Sequence, residues 1–310
     1  MNKYAQHIIN SETCNACPRR CDVNRKSKLG FCGAPEKIWI AKIMVHNWEE
    51  PYLTNCSNNN KQQRHGSGAI FFSQCNLKCV YCQNNEISNH LCGKQLTPKQ
   101  LANIFKKLEK QNVCNINLVT PTHYVKQIIQ ALEIYKPKIP IIYNTSGYEN
   151  KETILALKKY IDIFLFDFKY FSNQTSLLYS YAKNYPEKCK IAIKTAKKII
   201  KSDIFDKNGI MQKGIVIRHL LLPGKVNEAI NLCNYIYNNI GHNTYLSLLN
   251  QYIPMHKANL FPEINRKVKP IEYKVVVNYL KTLDMPNVYL QDELSSSSQY
   301  IPDFNVFCEF

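Results

Sequence analysis

The chain has 310 residues, 45% of them hydrophobic, enough to bury the core of one α/β barrel domain with an appendage, and no run of about 18 apolar residues marks a membrane-spanning helix. Thirteen cysteines, odd in number and with seven of them in two ligand-like clusters, argue against a disulfide-stapled secreted protein; together with a start, MNKYAQHIINSETC, that lacks an apolar signal segment, they predict a reducing compartment, the cytoplasm. The formal charge of +17 suits an acidic protein partner, but its lysines are spread as short pairs such as Lys106-Lys107, Lys158-Lys159 and Lys197-Lys198, a pattern of solvated helix faces that speaks against a nucleic-acid partner.

Residues 1–68 carry CNACPRRCDVNRKSKLGFCG, in which Cys14, Cys17, Cys21 and Cys32 form a complete four-thiolate set with Gly30 and Gly33 beside the last ligand. Such a set suits either a structural Zn or an iron–sulfur cluster, and the spacing does not choose between them. A strand is predicted at residues 38–41. His46 and Trp48-Glu49-Glu50-Pro51 follow; Glu49 and Glu50 are candidate site carboxylates, though an acidic pair before a proline reads more readily as a solvated turn. Residues 55–65, NCSNNNKQQRH, are polar and low in complexity and read as a loop.

Residues 66–88 read GSGAIFFSQCNLKCVYCQNNEIS. The run Ala69-Ile70-Phe71-Phe72 behind two glycines predicts a buried strand, so Cys75, Cys79 and Cys82 (C-x3-C-x2-C) sit on a loop leaving a strand end. Three thiolates there can converge on one metal centre and leave one position open, where a metal centre does chemistry. Beyond this loop strands are predicted at 69–73, 116–119, 139–143, 161–166, 214–222 and 244–249. Helices are predicted at 98–111, 124–135, 151–159, 175–200 and 226–239, and a last one at 271–283. Helix-separated strands imply a parallel sheet. Polar residues recur just past successive strands: Thr120-Pro121-Thr122-His123, Asn144-Thr145-Ser146-Gly147, Asp167-Phe168-Lys169, Arg218-His219 and Asn250-Gln251-Tyr252.

The cysteine loop, with Tyr81 before Cys82, resembles the C-x3-C-x-aromatic-C signature of the radical S-adenosylmethionine (SAM) superfamily, and its flanks resemble the uncharacterised proteins similar to pyruvate formate-lyase activating enzyme. The CPRRC…NR…GFCG and H-N-W-E-E-P strings have counterparts there. The resemblance implies an α/β fold, a partial (β/α)6 TIM-like barrel at residues 69–252 behind a small Cys-rich N-terminal appendage at 1–68, with 253–310 a helical extension packed on it. It also implies a [4Fe–4S] cluster on Cys75, Cys79 and Cys82 whose open iron chelates SAM, cleaved reductively to methionine and a 5′-deoxyadenosyl radical. A reducing donor such as flavodoxin or ferredoxin is implied, and a glycyl-radical protein as substrate, with a radical reaction on a small molecule as the alternative within the same class.

Residue by residue, Asp167-Phe168-Lys169 resembles the D-x-K motif of glycyl-radical activating enzymes, Asn144-Thr145-Ser146-Gly147 their D-T-N-G segment with Asn in place of Asp, and Arg218 the Arg that approaches SAM. Lys169 or Arg218 would meet the SAM carboxylate, amide groups such as those of Asn144 and Gln251 its ribose, and Tyr81 with its neighbours its adenine. A G-G-E segment found after the second strand of many such enzymes is replaced here by Thr120-Pro121-Thr122-His123. The competing reading is a non-catalytic, basic Fe–S or Zn protein that binds nucleic acid. The open three-cysteine loop and the strand-end Asp167/Lys169 pair are what binding alone would not need.

Overall fold

The structure is a computed structural model that describes residues 1–54, 65–291, 302 and 304. The predicted loop at 55–65 therefore lies, but for its last residue, outside the described residues. Ten strands form the sheet: β1 (Ile38–His46), β2 (Ser67–Phe72), β3 (Lys94–Leu96), β4 (Asn115–Val119), β5 (Ile141–Thr145), β6 (Ile163–Asp167), β7 (Ile204–Phe205), β8 (Met211–Leu220), β9 (Tyr245–Leu249) and β10 (Val288–Leu290). Their order is β10-β9-β8-β6-β5-β4-β2-β1-β3, with β7 beside β8. Every pair from β2 to β10 along this path is parallel, while β1 pairs antiparallel with β2 and with β3. Among the described residues the sheet is open and its two ends do not pair, as a partial barrel requires.

The six predicted barrel strands are β2, β4, β5, β6, β8 and β9, and helices separate them because each is a short apolar run buried on both faces. Phe164, Phe166, Leu118, Ile141, Tyr143 and Ile217 belong to one continuous core that also takes in Ala5, Cys32 and Ala34 of the Cys-rich segment. That segment shares the sheet, since β1 pairs with β2 on one side and with β3 on the other. The stretch after residue 252, expected to be helical, contributes helix Pro270–Thr282 and also β10, which lengthens the parallel sheet beyond β9.

Local chemistry explains the helix ends. Thr97 caps helix Pro98–Lys110 through the Gln100 N–H, Gln100 returns the bond, and Pro98 opens the first turn. The long helix predicted over 175–200 is two helices, Asn173–Ser180 and Tyr185–Ile199. The first stops at Tyr181, whose φ of +52° is left-handed, and the second opens on Pro186, which cannot continue a preceding helix. This break matters to the site, because it turns Ser180 and Tyr181 back toward the cysteine loop. Among the described residues no helix is long and apolar enough to cross a membrane.

Candidate functional site

The loop that leaves β2 carries Cys75, Cys79 and Cys82 at the carboxyl ends of the parallel strands, where barrels of this kind place their sites. Its backbone is strained: Gln74 at φ +78° and Lys78 at +55° are left-handed without being glycine, and across the cavity Thr120 at +58° is β-branched as well. Hydrogen bonds hold the loop in that shape. Asn76 donates to the Tyr148 carbonyl at 2.9 Å and accepts from Ser146 Oγ at 3.2 Å, Val80 N–H donates to the Tyr179 carbonyl at 2.9 Å, and Tyr81 Oη donates to Tyr170 Oη at 2.7 Å. The Tyr81 ring, at the cavity wall, packs edge-on against Tyr170, Tyr179 and Tyr252.

Two hydroxyls aim at the sulfurs: Ser180 Oγ at Cys79 Sγ, 3.0 Å, and Ser88 Oγ at Cys82 Sγ, 3.4 Å. Burial pushes the Cys75 and Cys82 thiols up, Cys82 to about 12, and the neighbouring thiols add to it, so these groups stay protonated until a cation takes them. Among the described residues no group of three or more His, Cys, Asp or Glu side chains closes around a single metal ion. A cubane asks for less closure, since each thiolate binds its own iron.

The three cysteines line one cavity of about 670 Å³, within the range of small-molecule sites. Asn144, Thr145, Asp167, Lys169, Arg218, Gln251 and Tyr81 all line it too. Lys169 Nζ lies 2.7 Å from Asp167 Oδ2. Burial works against the Lys169 charge, but Asp167, with Cys79 and Cys82 beyond it, outweighs burial and holds the ammonium above its ordinary value. Gln251 accepts from Gln291 Nε2 at 2.9 Å, and the Thr145 hydroxyl donates to Glu149. The Cys14, Cys17, Cys21 and Cys32 set lies outside this cavity, behind the loop.

Arg218 is engaged. Its guanidinium donates to Glu50 at 2.8 and 2.5 Å and also to Glu49, whose other oxygen accepts from Asn117 Nδ2 at 2.8 Å and lies 3.3 Å from His46 Nδ1. Burial pulls Glu49 upward, yet Arg218 and His46 outweigh it and hold this carboxyl well below the usual carboxylate range. The acidic pair, read as a solvated turn, is instead turned inward, with Glu50 buried and the Glu49 side chain only 7% exposed, and it walls the cavity. Nothing near Glu49 and Glu50 in the sequence announces their partner, which lies on the fifth barrel strand. His123 and His219 turn away, bonded to the carbonyls of Ser73 and Phe168 at 2.8 Å each, and burial drives His123 down to about 3.

Sequence reasoning also passed over Glu149. It is buried, takes Thr122 Oγ1 at 2.5 Å, Tyr143 Oη at 3.4 Å and the Thr145 hydroxyl on one oxygen, and burial pushes it up to about 7 despite those donors. A raised carboxyl stabilises the fold as the neutral acid, fully below its ordinary 4.5 and progressively less as the pH rises to about 7. Relative to Glu149→Gln, the parent should lose up to about 3 kcal/mol of stability across that window, measured by denaturant unfolding. Parallel pH profiles for the two proteins would refute a neutral Glu149.

Comparison with known proteins follows the same lines. An uncharacterised protein of Methanocaldococcus jannaschii is 28% identical over 290 residues, 90% of this chain and 77% of that protein. Among solved structures, SuiB of Streptococcus suis bound to the precursor peptide SuiA aligns over 71% of this chain and 47% of that one at 16% identity with a TM-score of 0.50, a likeness of fold. The hydrogenase maturase HydG of Carboxydothermus hydrogenoformans aligns over 70% and 50% at 15% identity, TM-score 0.47. The chain spans about half the length of these two. The family described as the Radical SAM superfamily matches residues 69–231, from β2 and its three-cysteine loop through β8, more than half of the chain, and the chain belongs to it.

Proposed function

We propose that the protein is a radical SAM enzyme whose [4Fe–4S] cluster sits on Cys75, Cys79 and Cys82 and whose SAM occupies the cavity in front of them. The observation that carries this is the meeting, in one cavity, of three thiols from a single strand-end loop with the charged Lys169–Asp167 pair and the strand-end amides. Membership of an enzyme superfamily does not favour the non-catalytic nucleic-acid reading. Bound together, cluster and SAM supply one-electron cleavage to methionine and a 5′-deoxyadenosyl radical, which abstracts a hydrogen atom.

This chain's own residues bind and orient. Lys169, held charged, takes the SAM carboxylate and Asp167 fixes its position. The amides of Asn144 and Gln251 meet the ribose hydroxyls, and Tyr81 borders the adenine. Thr145 acts from behind, through its bond to Glu149. The sequence offered Arg218 as an alternative carboxylate partner; with Glu49 and Glu50 on its guanidinium we assign it instead to holding that wall. Lys169→Ala should keep the cluster and weaken SAM binding by about 1.5–3 kcal/mol, the worth of a hydrogen bond to a charged group, read by equilibrium binding to anaerobically loaded protein. Parent-like affinity would overturn the Lys169 assignment.

For the substrate we propose a polypeptide, a glycyl-radical protein as the activating-enzyme resemblance implies. The strongly basic chain suits an acidic protein surface, and the neighbouring SuiB was solved with a peptide. Electrons would come from a flavodoxin or ferredoxin in a reducing cytoplasm. The decisive experiment is conversion of SAM to 5′-deoxyadenosine by the dithionite-reduced, cluster-loaded protein. No 5′-deoxyadenosine from protein with its cluster intact ends the enzyme reading, whereas its formation without a glycyl-radical signal on an offered partner ends only the substrate assignment.

A further inference from the structure

The four-thiol segment docks on the radical loop at its most sensitive points. Arg19, between Cys17 and Cys21, donates from Nε to the Asn76 carbonyl at 3.0 Å, immediately after Cys75. Its Nη2 donates to the Ser180 carbonyl at 2.8 Å, and Ser180 Oγ reaches Cys79 Sγ at 3.0 Å; Nη1 donates to the Tyr181 carbonyl. From the other side the Gln74 side chain, immediately before Cys75, lies 2.7 Å from the Cys32 carbonyl and donates to it with the amide turned so that its oxygen accepts from the Leu91 N–H. Gly33 is left-handed at φ +79°, and a Cβ there would lie 3.0 Å from the Gln74 side chain. The Arg19 guanidinium lies 3.7 Å from the centre of the ring of Phe31, the neighbour of Cys32, while its own backbone runs between Cys17 and Cys21. One side chain thus faces both thiol sets.

We propose that Cys14, Cys17, Cys21 and Cys32 hold an iron–sulfur cluster that passes single electrons across the Arg19 and Gln74 contacts to the cluster on Cys75, Cys79 and Cys82. The proposal rests on the cluster assigned above and adds a second redox site and a direction of electron flow. Three observations carry it. First, the four thiols are free, and the segment folds back on itself around them: the Cys14 N–H donates to the Val23 carbonyl at 2.9 Å, the Asp22 N–H to the Cys14 carbonyl at 3.2 Å, and the N–H of Phe31, next to Cys32, meets the Cys21 sulfur. They do not meet as the ligands of one ion. The radical-loop cysteines show the same openness, which a cluster with one iron per thiolate fills.

Second, backbone N–H groups are turned onto the sulfurs as at the radical loop: Phe31 to Cys21 at 3.3 Å and Ala34 to Cys32 at 3.4 Å, beside Leu77 to Cys75 at 3.4 Å. Hydrogen bonds of this kind tune cluster potentials. Third, Cys75 and Cys79 are buried at the floor of the SAM cavity, while Cys14, Cys17 and Cys21 are only half-buried and have Arg20 and Lys28 exposed nearby. A donor protein cannot reach the cavity floor once SAM fills the cavity, but an acidic one can sit on the N-terminal segment. The balance is one electron in from a low-potential flavodoxin- or ferredoxin-class donor, which is oxidised, and one electron out to the radical-loop cluster, which is reduced; no bond or proton changes place in the transfer.

The test uses the full chain, reconstituted anaerobically with iron and sulfide. Iron, sulfide and zinc analysis should give about eight irons per chain and little zinc, and Cys75/Cys79/Cys82→Ala should keep about four. Electron paramagnetic resonance of the reduced parent should show two clusters broadened by mutual spin coupling. Four irons with one zinc overturns the proposal. Arg19→Met keeps every thiol and should leave iron content unchanged, yet slow reduction of the radical-loop cluster by reduced flavodoxin tenfold or more in stopped-flow. Parent-like reduction rates in both Arg19→Met and Cys14→Ser/Cys17→Ser overturn the relay. Should the parent hold both clusters and pass electrons between them yet form no 5′-deoxyadenosine, the failure belongs to the enzyme reading and not to the relay.

Discussion

Cys79→Ala is expected to lose SAM cleavage completely. Cys79 is the middle ligand of the loop, buried, with Ser180 Oγ on its sulfur at 3.0 Å, and near enough to Cys75 and Cys82 to add to the rise that burial gives both of them. Three thiolates are already one fewer than the usual four of an electron-carrier cluster, so two cannot hold it. The loop itself should survive the change. Its shape rests on Asn76, Val80 and Tyr81, whose bonds to Tyr148, Tyr179 and Tyr170 do not involve the Cys79 side chain. The variant should therefore fold, lose the radical-loop iron and its paramagnetic signal, and form no 5′-deoxyadenosine under dithionite. Persistence of both the signal and the product would remove Cys79 from the ligand set.

What the sequence made legible, and what it hid, divides along the range of the interaction. Strands β2, β4, β5, β6, β8 and β9 are buried on both faces, so each appears as a short apolar run that needs no partner to be seen. Strands β3, β7 and β10 have three, two and three residues, too few for any period, and exist because a neighbouring strand offers an edge. Helix Lys3–Asn10 buries only Ala5 fully and so lacked a wide apolar stripe, although Asn2 caps it through the Ala5 N–H. The break at residues 181–184 was written locally, in Pro186, and was outweighed by the helical pattern on either side.

At the site, the cysteine spacing and the Asp167-x-Lys169 pair are local and were legible. Arg218, Glu49 and Glu50 were each visible as charges. Their union across 168 residues was not, because a charged pair reads as solvated until its counter-ion is known. Glu149 hid for a related reason: Tyr143 and Thr145 lie just before it on β5, but Thr122, which joins them on the same oxygen, comes from the turn after β4, 27 residues away.

Arg218→Met should cost the folded protein about 3–5 kcal/mol near neutral pH, the usual loss when one member of a buried ion pair is removed. Side-chain exposures of 13% for Arg218, 7% for Glu49 and 2% for Glu50 place the group out of water. Glu49 keeps Asn117 and His46 after the change, but Glu50 loses the guanidinium that takes both of its oxygens. The pH dependence follows with a definite sign. In the parent, Glu49 is held below its ordinary 4.5, so its contribution is present above that pH and fades only as acid is added. Arg218→Met removes the largest of the charges that hold Glu49 down, so the stability that the parent keeps as the pH rises through the carboxylate range is diminished in the variant. The deficit should be small near pH 4 and largest at pH 7, measured by denaturant unfolding of the two proteins. Adding Glu49→Gln and Glu50→Gln to Arg218→Met should restore most of the loss, since replacing all partners leaves no buried charge. A deficit that does not change with pH, or one the two glutamines leave untouched, would show that the arginine stabilises the wall by packing its stem and not by holding the acidic pair.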